Sequence, residues 1–164
     1  MNRYVGKARP RPGARRSRSG RGQALVEFAL ILPVLILIMV AIIDFGRAFY
    51  TQVAFQNGAR EGARFGSVHP AWVVAADNAN PNNIQSRAQT EASAGTATPT
   101  VVVKCITSAS VTSTAPSAAY TACAKSGNRV EVSVNATFQP ATPIISSFFP
   151  SGLPMSGTTR MTIE

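Results

Sequence analysis

The residues whose types and spacing most clearly suggest a chemical role lie near the N-terminus. There, Gly22 and Gln23 stand five and four positions before a single carboxylate, Glu27. Glu27 lies at the start of an apolar run, where an ionisable group is costly to bury and is usually functional. If the chain is cut after Gly22, the new α-amino group of Gln23 lies one helical turn from Glu27 on the same face. A cation and an anion would then be buried together, within one chain or between neighbouring copies. Alternatively, Glu27 reaches back from the first helical turn to the headgroup interface.

Residues for other kinds of chemistry are scarce. The single histidine, His69, precedes a proline, and the chain has no GxSxG, HExxH, P-loop or dinucleotide-binding motif. Asp44 and Asp77 fit interfacial or turn positions. Two cysteines and one distant histidine cannot complete a four-ligand zinc site. We therefore predict no enzymatic activity, no cofactor and no bound metal.

Positive charge is concentrated at the start of the chain, which has 164 residues and a formal net charge of +9. Residues 1–22 hold eight Lys/Arg and no acid, whereas residues 23–164 hold eight Lys/Arg and seven Asp/Glu. A basic arm of this kind could bind nucleic acid in a salt-dependent way. Its position directly before a long apolar run favours a role in membrane topology instead, so we expect no nucleic-acid partner.

Residues 24–43 form an apolar run that contains one charge, Glu27, and one proline, Pro33. At about 1.5 Å per residue, this run forms about 30 Å of helix, the thickness of the hydrocarbon core of a bilayer. We predict a single transmembrane helix in the bacterial cytoplasmic membrane, and the preceding positive charge places the N-terminus in the cytoplasm. A cleaved secretory signal has a shorter apolar core and a small-residue cleavage site. The run here continues into Asp44 and Phe45 without such a site, so the span is expected to remain in the product.

Three regions follow from this pattern. Residues 1–22 are expected to be a disordered basic leader, residues 23–66 to form one long helix, and residues 67–164 to form an extracytoplasmic head. The pair His69-Pro70 ends the long helix, because the residue before a proline disfavours the helical conformation.

Small residues form a stripe near the end of the long helix. Gly58, Gly62 and Gly66 recur every four residues, and such a stripe lets another backbone approach closely. Each glycine costs the helix about 1 kcal/mol relative to alanine, a cost that packing would offset. Alternatively, the glycines mark a frayed helix end.

The head is predicted to be an α+β domain whose small antiparallel sheet has three to four strands. β-branched runs or alternating apolar residues predict strands at 100–107, 129–139 and 158–163. In the second of these strands, every second residue from Val130 to Phe138 is predicted to face the core.

The segments around these strands also carry local signals. Asn80 and Pro81 are typical of a helix start and Gly95 of its end, so a short helix is predicted before the sheet. Residues 108–119 are predicted to be a loop. A late connector is expected to pack its large apolar residues onto the sheet, or alternatively to expose them to a partner. These residues are Ile144, Ile145, Phe148 and Phe149.

The two cysteines, Cys105 and Cys123, lie in the first predicted strand and in the loop before the second. Outside the cytoplasm, two cysteines this close in sequence more often form a disulfide than remain free thiols. The alternative is a pair of small buried residues. We predict a Cys105–Cys123 disulfide.

The N-terminal pattern resembles two known groups of proteins. Gly22, Glu27 and the apolar helix resemble the processing site of type IV prepilins, which a prepilin peptidase cuts after the glycine on the cytoplasmic side. The longer string GQALVEFALILPVLILIMVAIIDFGRAFY, followed by NGAREGAR, resembles the TadE-like family, the minor pseudopilins of tight-adherence pili. The resemblance is dense from Gly22 to Gly66 and weak in the final strands, and residues 67–128 carry no matching motif. The major tight-adherence pilins have Glu-Tyr after the cut, where this chain has Glu27-Phe28.

The resemblance implies a minor pseudopilin that acts in assembly, initiation or scaffolding of a tight-adherence pilus or secretion apparatus. It implies cleavage between Gly22 and Gln23 by a prepilin peptidase, after which Gln23 and Glu27 would pair their charges during assembly. The implied partners are other pilin or pseudopilin subunits, the inner-membrane assembly platform and membrane lipid. The alternative is an uncleaved single-span protein whose head binds an extracytoplasmic partner.

Overall fold

The fold starts with one long helix, α1 (Ser19–Val68), in a computed structural model that describes residues 19–73, 82–93 and 97–164. Residues 19–22, predicted to be disordered, are helical, because a helix extends into adjoining residues more readily than it nucleates. The earlier part of the predicted leader lies outside the described residues. The helix ends directly before His69-Pro70, as predicted.

The described residues up to Ile38 and those from Met39 onward belong to two separate units. In the first unit, residues 19–38 are helical and every large apolar side chain from Leu25 to Ile38 except Leu32 is strongly exposed. The helix is long and apolar enough to cross a membrane. These features are compatible with single-pass membrane anchoring, because a bilayer covers an apolar surface that water would not tolerate.

The second unit, residues 39–164, contains a four-stranded antiparallel sheet and so confirms the predicted α+β class. Its strands are β1 (Thr100–Ile106), β2 (Thr112–Thr114), β3 (Arg129–Phe138) and β4 (Leu153–Thr162), in the order β2-β1-β3-β4. In the centre, Val132 of β3 pairs with Val103 of β1 on one side and with Thr159 of β4 on the other.

The sequence pattern predicts a strand correctly where one face of that strand is buried. In β3, Val130, Val132, Val134 and Phe138 are buried on the predicted face, and Ala136 is half-buried. Strand β2, in contrast, lies in the segment predicted to be a loop. It has three polar residues at the edge of the sheet and therefore no apolar alternation to reveal it.

Three short helices accompany the sheet: α2 (Ile84–Ala92), α3 (Ala118–Cys123) and α4 (Pro143–Phe148). The N-cap of α2 is Asn83, whose side chain accepts the backbone N–H of Ser86 at 2.7 Å. The Ser86 hydroxyl in turn accepts the backbone N–H of Asn83 and completes a capping box. The predicted cap residues Asn80 and Pro81 and the predicted stop Gly95 lie outside the described residues.

The core of the second unit lies between α1, α2 and the sheet. Its fully buried members include Phe55 and Ala59 of α1, Ala88 of α2 and Val132 of β3. Apart from Phe55, α1 presents small residues such as Ala59 and Gly62 to α2 and the sheet in this part of its length. A strand and a helix can then approach its backbone closely.

The connector before β4 differs from its prediction. It forms helix α4, but Phe148 is 77% exposed and Phe149 is 44% exposed, so the prediction that these rings pack onto the sheet is wrong. Helix α4 is held near its N-terminal end, where Asp44 accepts hydrogen bonds from Thr142, and both rings lie at its other end. Ile145 is half-buried between these two ends.

Candidate functional site

The predicted processing site lies in the first turn of α1. Gly22 is the fourth residue of the helix, and a side chain added there would meet no other atom within 4 Å. Gln23 and Glu27 are both exposed and lie four helical residues apart, which places them on one face. The Gln23 nitrogen is a peptide nitrogen in the intact chain, so the charge pair with Glu27 requires prior cleavage. Helix ends fray, and the first turn is therefore the helical position most open to a peptidase.

The three glycines of the predicted stripe face other elements of the same chain. A Cβ atom built on Gly58 would lie 2.6 Å from the carbonyl oxygen of Ala88, and one on Gly62 would lie 2.8 Å from the Ala88 Cβ atom. One on Gly66 would lie 3.0 Å from Ile84 Cδ1. All three neighbours belong to helix α2 of the same chain.

Asp44 lies inside α1 rather than in a turn, and its side chain is buried. It is 4% exposed, and its carboxylate accepts the backbone N–H groups of Ala141 and Thr142 at 3.0 and 2.9 Å. It also accepts the Thr142 hydroxyl at 2.6 Å, and Arg47 donates to it at 3.2 Å. Asp44 therefore joins α1 to the segment that starts α4. In the sequence, the feature that indicates a structural role for Asp44 is the basic residue three positions later, Arg47.

The two cysteines join β1 to the end of α3. Cys105 and Cys123 form a disulfide in the structure, with Cα atoms 6.0 Å apart. One turn before Cys123, the Tyr120 hydroxyl donates to the carbonyl oxygen of Pro70 at 3.1 Å. Burial of Tyr120 raises the pKa of its phenol to about 12, because the charged phenolate loses its hydration. The hydrogen bond from Tyr120 thus links α3 to the segment directly after α1.

Charged side chains of the second unit form ion pairs within the chain. Glu131 of β3 is buried, and the directly opposed Arg160 of β4 donates a hydrogen bond to its carboxylate. Lys104 of β1 faces the same carboxylate at 3.8 Å. Glu61 accepts two hydrogen bonds from Arg64, which lower the pKa of the Glu61 carboxyl. Each of these two carboxylates thus has at least one cationic partner within the same chain.

The surroundings of His69 are aromatic. Its ring centroid lies 5.0 Å from that of Phe65 and 4.8 Å from that of Trp72, with which it is stacked. Within residues 19–73, 82–93 and 97–164, no group of three or more His, Cys, Asp or Glu side chains could hold a metal ion. His69 therefore takes part in a packing cluster at the end of α1.

Comparison with known proteins identifies the N-terminal part of the chain. Residues 22–64 match the family model described as TadE-like protein, which confirms the resemblance seen in the sequence. No curated protein and no solved structure matches the chain. TadE-like proteins are components of the tight-adherence pilus system and are not known as enzymes, and the family implies contact with other pilus subunits. The segment from residue 22 to residue 64, which covers the apolar helix and the first two glycines of the stripe, is thus TadE-like, and it indicates a function related to the tight-adherence pilus.

Proposed function

We propose that the protein is a minor pseudopilin that acts in assembly, initiation or scaffolding of a tight-adherence pilus or secretion apparatus. The observation that carries the proposal is the combination of a TadE-like segment with an exposed apolar helix and a separate folded head. The exposed helix supplies a surface that either lipid or the helices of other subunits can cover. The head, with its own sheet and core, is larger than a bare helical subunit needs, which favours a minor role.

The proposed maturation step is cleavage between Gly22 and Gln23 by a prepilin peptidase at the cytoplasmic face. Gly22 has no side chain, and its helical turn is the first of α1. The eight Lys/Arg of residues 1–22 would hold this bond at the cytoplasmic side of the membrane. Cleavage removes all of this charge and leaves Gln23 as the new N-terminus.

After cleavage, the charge balance at the helix start changes. The leader no longer holds the N-terminus in the cytoplasm, and the Gln23 amine gains a partner in Glu27, one turn away. Such a pair reduces the cost of carrying a carboxylate into an apolar fibre core. The mature helix could then leave the membrane and pack among the helices of other subunits, with the assembly platform as the site of transfer.

The second candidate is an uncleaved single-span protein whose head binds an extracytoplasmic partner. One observation favours it: residues 19–22 are helical, so the bond after Gly22 is inside α1 in the intact chain. A peptidase would have to unwind this turn to reach it.

Mass spectrometry of the membrane-isolated protein separates the two candidates. The protein is expressed with and without a prepilin peptidase, alongside the variants Gly22→Val and Gly20→Val. The proposal expects the peptidase to remove residues 1–22 from the wild type and from Gly20→Val, and to leave Gly22→Val intact. An intact wild-type chain in the presence of an active peptidase would establish the uncleaved anchor instead.

A further inference from the structure

We propose that helix α4 lies in the lipid surface of the membrane at the point where α1 leaves it, with Phe148 and Phe149 inserted among the lipids. The inference rests on the membrane span of the proposed function. It goes further by giving the head a second lipid contact, supplied by a segment about 100 residues later in the chain.

The first step concerns where α4 is attached. Asp44 is the first residue after the apolar run 24–43, and it accepts two hydrogen bonds from Thr142, the N-cap of α4. A cleft of about 230 Å³ beside it is lined by side chains from both parts of the chain, and the lining is almost entirely apolar. Ala41 and Phe45 contribute from α1, and Ile145 contributes from α4. Helix α4 therefore lies level with the last turn of the apolar run.

The second step concerns the depth in the bilayer at which α4 is attached to α1. About 20 apolar residues span the hydrocarbon core, and the headgroup regions add about 5 to 8 Å on each side. At about 1.5 Å per residue, the turn of α1 that follows Ile43 lies in the outer headgroup region. Phe45, Phe49 and Tyr50 of this turn and the next are all more than half exposed. Aromatic side chains at this level are typical of membrane interfaces.

The third step concerns the chemistry of α4 itself. No charged residue occurs between Glu131 and Arg160, so the connector that contains α4 is entirely uncharged. The Ser146 and Ser147 hydroxyls both donate to the carbonyl oxygen of Pro143, at 2.9 and 2.7 Å. Hydroxyls with internal partners lose little when water is removed. Phe148 at the end of the helix and its C-cap Phe149 thus supply two exposed aromatic rings, next to two hydroxyls that already have internal partners.

We expect lipid to cover the exposed rings of α4, because lipid already covers the neighbouring part of α1 if that helix spans the membrane. Ile42, Ile43 and Phe45 are exposed on α1 at the level where α4 is attached, and they face lipid if α1 spans the membrane. Ile145 of α4 lines a cleft together with Phe45, and the exposed Phe148 and Phe149 would add uncharged aromatic area to the lipid-facing surface. Arg47 donates to Asp44 at the same level of α1, and its guanidinium lies 5.7 Å from the Phe138 ring centre. Its long side chain would be able to reach lipid phosphates from this level.

The inference is tested by tryptophan quenching in the full-length protein. The protein carries Trp72→Phe, which removes its single tryptophan, and one new tryptophan at a time. It is reconstituted into phosphatidylcholine–phosphatidylglycerol vesicles whose acyl chains carry bromine, a contact quencher. Three positions are compared: Phe148→Trp in α4, Leu30→Trp in the apolar run and Val111→Trp, which is exposed near the far edge strand of the sheet.

The proposal expects Phe148→Trp to be quenched less strongly than Leu30→Trp, which lies deeper, but several-fold more strongly than Val111→Trp. Quenching of Leu30→Trp with none of Phe148→Trp would overturn the lipid contact of α4 and leave the span intact. Absence of quenching at both positions would overturn the span and the lipid contact together. Quenching of Phe148→Trp that disappears when the protein is crosslinked into oligomers would show that a second copy covers α4, which also overturns the proposal.

Discussion

Gly157 of β4 lies directly against the main chain of Phe55 in α1. A Cβ atom built on Gly157 would lie 2.5 Å from both the carbonyl carbon and the carbonyl oxygen of Phe55. Beside this contact, the Gln52 side-chain amide donates to the carbonyl oxygen of Ser156 at 2.8 Å. The strand therefore approaches the helix backbone as closely as a residue without a side chain allows.

We predict that Gly157→Ala destabilises the head by about 1 to 3 kcal/mol, because the added methyl group would overlap backbone that cannot move away easily. Thermal unfolding followed by circular dichroism in detergent measures the effect. Gly46→Ala is the matched control, since a side chain at Gly46 meets no atom within 4 Å and the change favours the helix by up to about 1 kcal/mol. Equal melting temperatures for the two variants would contradict the close approach of β4 to α1.

We predict that Glu27→Gln is cut by the prepilin peptidase nearly as the wild type is, but fails to enter assemblies. The carboxylate matters only after cleavage, when the Gln23 amine needs an anionic partner in apolar surroundings. Crosslinking of the mature protein to other pilus subunits measures assembly, and intact mass measures cleavage. The control is Glu91→Gln, which removes one exposed charge from α2.

A Glu27→Gln chain that stays uncut would show instead that the peptidase recognises Glu27, and the charge-pair account would then be wrong. The same mass spectrum reports whether the new Gln23 terminus is cyclised or methylated, because cyclisation removes the charge of the amine.

The Cys105–Cys123 disulfide is predicted to form in the isolated protein and to stabilise the head by about 3 kcal/mol, because it closes a loop between residues 18 positions apart. Labelling of the unreduced protein with a thiol reagent should therefore modify neither cysteine. The double variant Cys105→Ser/Cys123→Ser should melt at the same temperature as reduced wild type and below oxidised wild type. Two reactive thiols in the protein isolated without reductant would refute the prediction.

Alkaline pH is predicted to lower the free energy of unfolding of the head, because Tyr120 is buried as a neutral phenol. Its pKa of about 12 in the fold exceeds the ordinary value of 10, so the fold favours the neutral phenol. The stabilisation is fully present below about pH 10, where the unfolded-state phenol is still neutral, and is lost as the pH rises through about 12. The wild type should be more stable than Tyr120→Phe by about 1 kcal/mol at neutral pH, through the hydrogen bond to Pro70. Melting curves across this range should show the difference shrinking; a constant difference would contradict the raised pKa.

The features predicted from sequence are those encoded in local patterns. The alternation from Val130 to Phe138 identifies β3, and His69-Pro70 marks the end of α1, because both signals depend on neighbouring residues. The edge strand β2 was missed because its three residues are all polar and carry no such pattern.

The features missed depend on residues far apart in sequence. The role of Asp44 is set by hydrogen-bond donors 97 and 98 positions away, which no local pattern reports. The expected packing of Phe148 and Phe149 followed from their apolarity alone. Apolarity predicts removal from water, but it does not distinguish a protein core from lipid or a partner.

The link between Asp44 and Thr142 also sets an order of events during biosynthesis. Asp44 emerges from the ribosome 98 residues before Thr142, and Gln52 emerges 104 residues before Ser156. At translation rates of about 5 to 20 residues per second, α1 exists for roughly 5 to 20 seconds before α4 and β4 are made. During this interval the Asp44 carboxylate has only Arg47 and water as partners, and the backbone near Phe55 is uncovered. A newly made helix thus differs chemically from one that carries a finished head.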